Sequence, residues 1–263
     1  MLFRVAVPAS TAPEAEARVV ARRLPRRIAV RHGRATIDLA LSRAAATTAT
    51  EKALAARRAR VVVPTRAVSA SIAVRPVRQV LRNDCEATAL SMLLTAAGVH
   101  APQLQLQREL PIAKPLAPES IPGTQLRRWG DPELGFVGRA DGRGAGGFGV
   151  YEPPIRRLAI RHGVRVVDLH GRPFGAVRTL LLAGRPVLAW VGLAAGPYMS
   201  WLTPSGRKVT VNLNEHAILL VGAGPGYVLV NDPLTGTRVR WSDALFSVRW
   251  RRLGDRALGL PDS

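Results

Sequence analysis

The hydrophobic pattern divides the chain near residue 75. From Val77 onward, apolar positions recur at spacings that predict compact secondary structure. The run CEATALSMLLTAAG predicts a helix from Cys85 to Gly98, with Asn83 or Asp84 as N-cap and Glu86 in the first turn. Leu90, Leu93, Leu94 and Ala97 fall on one face of it. Further helices are predicted over Ile155–His162 and Ala176–Ala183, each stopped by a glycine, Gly163 and Gly184. The period then changes. Arg185–Val191 is a buried-strand run, followed by strands at Lys208–Leu213, His216–Val221, Tyr227–Asn231 and Thr237–Trp241. Helices first and an antiparallel sheet afterwards is an α+β layout. Between them, Trp129–Tyr151 carries GRADGRGAGGFGVY and reads as a long surface loop, a type of segment that often carries function.

Residues 1–75 have a different texture. Arg60–Pro64 suggests a short strand and the Ala-rich segment Ser42–Arg60 a helix, with no repeat and no motif. The expected organisation is therefore an Arg/Ala-rich segment over 1–75 and a compact domain over 76–263. A pro-segment, a tether and a β-rich accessory domain remain open as roles for the first part.

Composition narrows the function classes. The chain has 263 residues and a formal net charge of +20, which raises the question of nucleic acid. Only Lys52, Lys114 and Lys208 are lysines, and Ala, Gly, Pro and Arg are all abundant, the mark of a GC-rich coding sequence. Residues 1–78 hold 16 basic and 4 acidic side chains, so much of the surplus sits outside the compact part. The expected partner is a peptide or protein, not nucleic acid, with a weak contact between the basic segment and an anionic surface as a side possibility. No spanning helix and no secretory leader is visible, which makes cytoplasmic the default compartment and leaves export open. A single cysteine excludes an intramolecular disulfide.

That cysteine is also the candidate for chemistry. Cys85 opens a helix whose free N–H groups and dipole favour a thiolate. Alone, it reads equally well as a small apolar filler. Gln79, six residues upstream, can aim an amide at a developing oxyanion, with the Cys85 N–H as second donor. His216 starts an apolar strand, unlike His32, His100, His162 and His170. Asp232 ends the next strand, and a hairpin through Gly222–Gly226 would set it beside His216, where a carboxylate can hold the imidazole in one tautomer. A solvated loop glutamine and a turn aspartate before Pro233 are the bland alternatives. Gly222–Gly226 is no dinucleotide fingerprint, because it contains Pro225 and leads into a strand. The glycines near 142–149 lack a following Gly-Lys-Ser/Thr, and no histidine or cysteine pair has metal spacing. No cofactor and no metal are expected.

Gln79-x5-Cys85 entering a helix, His216 on a strand and Asp232 in Asn-Asp-Pro resemble the C39 family of papain-like bacterial cysteine peptidases. The likeness spans roughly residues 77–255 and is closest to the stand-alone C39-like branch. Trp129–Pro132, Gly135–Gly138, Gly149–Tyr151, Gly184–Val187 and Glu215–Ala217 are phrases shared with it. The resemblance implies a papain-like fold and thiol attack on a peptide carbonyl. It implies Cys85 as nucleophile, His216 as general base, Asp232 as its orienter and Gln79 in the oxyanion hole. Glu86 stands where the transporter-fused relatives commonly have glycine, a departure at the cleft floor. An acyltransferase with the same triad order and a peptide-binding module without turnover are the rival readings.

Overall fold

The computed structural model describes three strands near the N-terminus and residues 69–261. The chain forms two compact units, 1–64 and 65–263. In the first, β1 (Leu2–Pro8), β2 (Arg26–Arg31) and β3 (Arg34–Ala40) make an antiparallel sheet in the order β1-β3-β2, with Leu2 opposite Ala40 and Arg31 opposite Arg34. The helix expected over 42–60 and the strand expected at 60–64 lie outside the described residues.

The second unit is built around α1 (Cys85–Ala96). Leu90, Leu93 and Leu94 are fully buried, as are Ala87, Thr88 and Ala89, so the helix is enclosed on almost every side through its first turns. Each buried leucine contributes about 1.5–3 kcal/mol. Ala97, expected on the apolar face, is instead the exposed residue after the helix, and Met92 is buried with the leucines. Gly98 at φ +80° ends the turn as expected.

Helix α1 packs on β14 (Glu215–Gly224), the middle of a seven-stranded sheet. Its order is β10 (Val167–Asp168), β17 (Ala257–Gly259), β11 (Val187–Gly192), β14, β15 (Tyr227–Asp232) and β16 (Thr237–Ser242), and β4 (Ala70–Ser71) also pairs with β14. The sheet therefore takes in residues ahead of position 75. Alternation along β14 divides the core. Ala217, Leu219 and Val221 join Leu90 and Trp190 on the α1 side, while Ile218 and Leu220 join Val177, Phe246 and Trp250 on the other. The second face is covered by α4 (Phe174–Leu182) and α5 (Asp243–Arg251). Helix α5 was not expected from the periodicity. Its signal is local, since Ser242 Oγ accepts the Leu245 N–H at 3.1 Å as an N-cap.

Two further helices complete the described set, α2 (Gln103–Glu109) and α3 (Glu152–Arg161). Helix α3 begins three residues before the expected Ile155, because Pro153 and Pro154 sit in its first turn, where proline costs no hydrogen bond. The glycine-rich stretch is the main correction. Residues 129–151 are not one surface loop. β8 (Phe136–Gly138) and β9 (Gly147–Gly149) form a hairpin there, joined by β5 (Ile112–Ala113), and Phe136, Val137, Phe148 and Val150 are buried. The turn between the two strands is open, as is Leu134 ahead of them. A smaller sheet pairs β12 (Tyr198–Leu202), also missed, with β13 (Lys208–Asn212), and continues through β7 (Arg127–Arg128) to β6 (Glu119–Ser120). All five tryptophans are buried. Among the described residues, no helix is long and apolar enough to cross a membrane.

Candidate active site

A cleft of about 260 Å³ opens at the N-terminal end of α1, lined by Gln79, Cys85, Phe148, Leu213, His216 and Leu234 among others. A second hollow of about 300 Å³, between Pro111, Pro154 and Arg157, holds no thiol, carboxylate or imidazole. The candidate residues named from the sequence line the first.

Backbone contacts assemble this cleft from distant segments. The Gln79 N–H donates to Pro233 O at 2.9 Å and the Asn83 N–H to Ala140 O at 2.8 Å. Gln103 on α2 clamps the approach to α1. Its Oε1 accepts from Val80 N–H at 3.0 Å and from Thr88 Oγ1 at 2.6 Å, and its Nε2 donates to Arg78 O at 2.9 Å. Asp84 occupies the N-cap position, but its Oδ1 accepts the Leu81 N–H at 3.1 Å instead of a helix N–H. Burial lifts Asp84 to about 6 despite that bond.

The β14–β15 hairpin sets Asp232 beside His216. Their Nε2 and Oδ1 atoms are 2.7 Å apart, and Asp232 Oδ1 also accepts the Leu234 N–H at 2.9 Å. Burial works against the Asp232 charge, but the hydrogen bond and charge of His216 outweigh it and hold the carboxyl below its ordinary value. An ionised carboxylate only accepts, so a proton lies on Nε2, and in the neutral ring Nδ1 is then the acceptor.

Cys85 and His216 are both buried, at 6% and 3% exposure. The thiol's partners are Glu86 Oε2 at 3.3 Å and the Ala217 N–H at 3.5 Å, not the His216 ring. The sulfur therefore lies against β14 one residue beyond His216. Its acidity also departs from the sequence expectation. Burial pushes the thiol well above its usual value, the charges of Glu86 and Glu215 add to this, and the Ala217 N–H only partly opposes them. The helix end alone does not govern the sulfur.

Gln79 lines the same cleft, but its Nε2 donates to Leu81 O at 3.0 Å and to Arg82 O at 2.8 Å. Both amide hydrogens are held by the loop, while Oε1 is buried without a partner.

The sequence singles out Glu86 only as a departure at the cleft floor, and Glu215 only within a shared phrase. Glu86 is 1% exposed, and its Oε1 accepts the Val150 N–H at 2.6 Å. Cys85, Glu86 and Glu215 place a sulfur and two carboxyl oxygens within 4.8 Å of one another. Gly149 makes room for this. It sits at φ +136°, and a Cβ there would lie 2.3 Å from Glu86 Oε1 and 3.1 Å from Glu215 Oε2. Gly149→Ala therefore combines backbone strain with a clash on a buried carboxyl. It is expected to cost about 2–4 kcal/mol, measured by chemical denaturation.

Comparison with known proteins follows the same outline. The sequence model described as "Peptidase_C39 like family" matches residues 71–258. The chain belongs to the C39-like peptidase family. The uncharacterized protein YvpB of Bacillus subtilis (strain 168) is 33% identical over 184 residues, covering 68% of this chain and 69% of that protein. A crystal structure from Bacillus anthracis, described as that of a C39-like peptidase, superimposes with a TM-score of 0.65 at 26% identity, over 74% of this chain and 98% of the other. The fold is thus the α+β, papain-like architecture, with a buried helix packed on an antiparallel sheet. For a C39-like chain, the contents of the cleft acquire a direct chemical reading.

Proposed function

We propose that this C39-like chain is a cysteine-type peptidase that cleaves peptide bonds through a thioester at Cys85. The observation that carries the reading is the 2.7 Å His216–Asp232 hydrogen bond in the cleft that also holds the chain's single cysteine at the start of a buried helix. With Nε2 tied to Asp232, His216 Nδ1 is free to take the Cys85 proton when the thiol turns toward it. Sγ then attacks the peptide carbonyl carbon. The imidazolium returns its proton to the leaving amine, and a water activated by His216 hydrolyses the thioester.

As the first helical residue, Cys85 has a backbone N–H with no intrahelical acceptor, which suits it to receive the oxyanion. Gln79 is the second donor in this reading, once substrate draws its amide from Leu81 O or Arg82 O. Since the amide must leave bonds it already makes, its contribution is modest. Gln79→Ala is expected to lower kcat/KM by about tenfold, below the hundredfold or more that a free oxyanion donor is worth. Steady-state hydrolysis of a cleaved peptide reads this out. Leu213 and Leu234, half exposed at the cleft, supply apolar walls for a peptide.

The test is digestion of a proteome-derived peptide library, read by mass spectrometry, with and without an added primary amine. New termini bearing free carboxylates are expected in both conditions. Products capped by the amine in excess over free acids would favour an acyltransferase. No new termini would leave a peptide-binding module.

A further inference from the structure

The proposed hydrolysis uses Cys85, His216, Asp232 and Gln79, and leaves two acids beside the sulfur without a role, Glu86 buried and Glu215 half-buried. Glu86 accepts the thiol proton's hydrogen bond on one oxygen and a main-chain N–H on the other. Glu215 stands one residue before His216 and lines the cleft, yet its Oε1 is buried with no partner. Among the described residues, no cation pairs with either acid. The titratable groups that act on them are Asp84 at the N-cap of α1, Cys85 at its start and Tyr151 at the entry to α3, while His216, bonded to Asp232, lines the same cleft. From β9 only backbone approaches, at Gly149.

We infer that Glu86, backed by Glu215, is a positioning pair that holds Cys85 as a turned-in thiol and sets the pH at which it becomes a nucleophile. This rests on the reading of Cys85 as the nucleophile. The geometry has two consequences. With Sγ–H donated to Glu86, the thiol is engaged away from His216, so the site stands in a latched arrangement until that bond is exchanged. Any negative charge on the pair also opposes a thiolate within a few ångströms, since the sulfur and the two carboxyl oxygens lie within 4.8 Å of one another. Burial favours the neutral acids, lifting Glu86 to about 7 and Glu215 well above its usual value. The sign follows. As the pH rises and the pair gives up its protons, the thiolate becomes harder to form, so the pair works against the ordinary gain in thiol reactivity with pH.

The single cysteine makes the test unambiguous, because any thiol alkylation of the native chain is alkylation of Cys85. The rate of reaction with iodoacetamide is measured against pH for the full chain and for Glu86→Gln and Glu215→Gln. In Glu86→Gln the amide oxygen can keep the Val150 N–H while its NH2 turns a hydrogen-bond donor toward the sulfur. Its profile is expected to move to lower pH by about one unit or more, the scale of removing one nearby charge at a partly buried site. Glu215→Gln, which makes no hydrogen bond to the thiol, is expected to move it in the same direction by a smaller amount. Circular dichroism confirms that each variant is folded, and Glu215→Gln carries the test if Glu86→Gln is not. Profiles that coincide with wild type in the folded variants overturn the inference. Shifted profiles in a protein that releases no peptide termini would support the pair and sink the hydrolase reading, so the two failures are distinguishable.

Discussion

Cys85→Ala is expected to abolish peptide hydrolysis, and His216→Ala to reduce it nearly as far. For a nucleophile and base acting as one unit, the loss is on the order of 10⁵–10⁶ in kcat. The double variant should be no slower than Cys85→Ala alone, since the base has nothing left to activate. Folding should survive both changes. Cys85→Ala removes one sulfur atom from a helix whose burial is carried by Leu90, Leu93 and Leu94, and its cost is about 1 kcal/mol. His216→Ala breaks the bond to Asp232, but Oδ1 keeps the Leu234 N–H. Steady-state rates on one cleaved peptide, with thermal unfolding as a control, measure all three variants.

The second large effect concerns Asp232, and here the atom involved decides between substitutions. His216 Nε2 and the Leu234 N–H both use Oδ1. Asp232→Ala removes that acceptor, frees the ring to take the wrong tautomer, and is expected to lower kcat/KM by about 10²–10³. Asp232→Asn can place its amide oxygen where Oδ1 stood and keep both hydrogen bonds. It should retain more activity than Asp232→Ala, the remaining deficit being the lost charge opposite the imidazolium. A side-by-side comparison of kcat/KM for the two variants tests whether Asp232 orients the ring or chiefly supplies charge. Equal losses in Ala and Asn would contradict the orienting role.

The α+β architecture was legible from the sequence because its signals are local and strong. The CEATALSMLLTAAG helix, its glycine stop and the five apolar strand runs each follow from periodicity and punctuation. What escaped was short or masked by composition. The pair Phe136–Val137 and the single positions Phe148 and Val150 stand among glycines, too few to show a period, so β8 and β9 read as loop. Helix α5 is short, mixes polar and apolar residues with only Phe246 and Trp250 buried, and is announced chiefly by its Ser242 cap.

At the cleft, residues that bear recognisable chemistry at recognisable spacing could be named in advance. Their relations to one another could not. Glu86 reads from the sequence as a first-turn acid and a departure at the cleft floor, and its inward turn depends on the bare backbone of Gly149, 63 positions along the chain. The thiol's environment likewise follows from burial and from Glu215, which no local pattern reports. Gln79 has the expected spacing, but the carbonyls of Leu81 and Arg82 that hold its amide become visible only in three dimensions.

The central claim is that Cys85 and His216 act on a carbonyl together. The most direct measurement is rapid-quench mass spectrometry of the intact protein during reaction with an activated acyl ester, followed by peptide mapping. The account predicts an acyl group on the Cys85 peptide that forms and then discharges to water in the wild type. With His216→Ala it should form far more slowly and persist once formed, and with Cys85→Ala it should not form at all. An adduct on another residue, or one that forms and discharges at the same rates without His216, would contradict it.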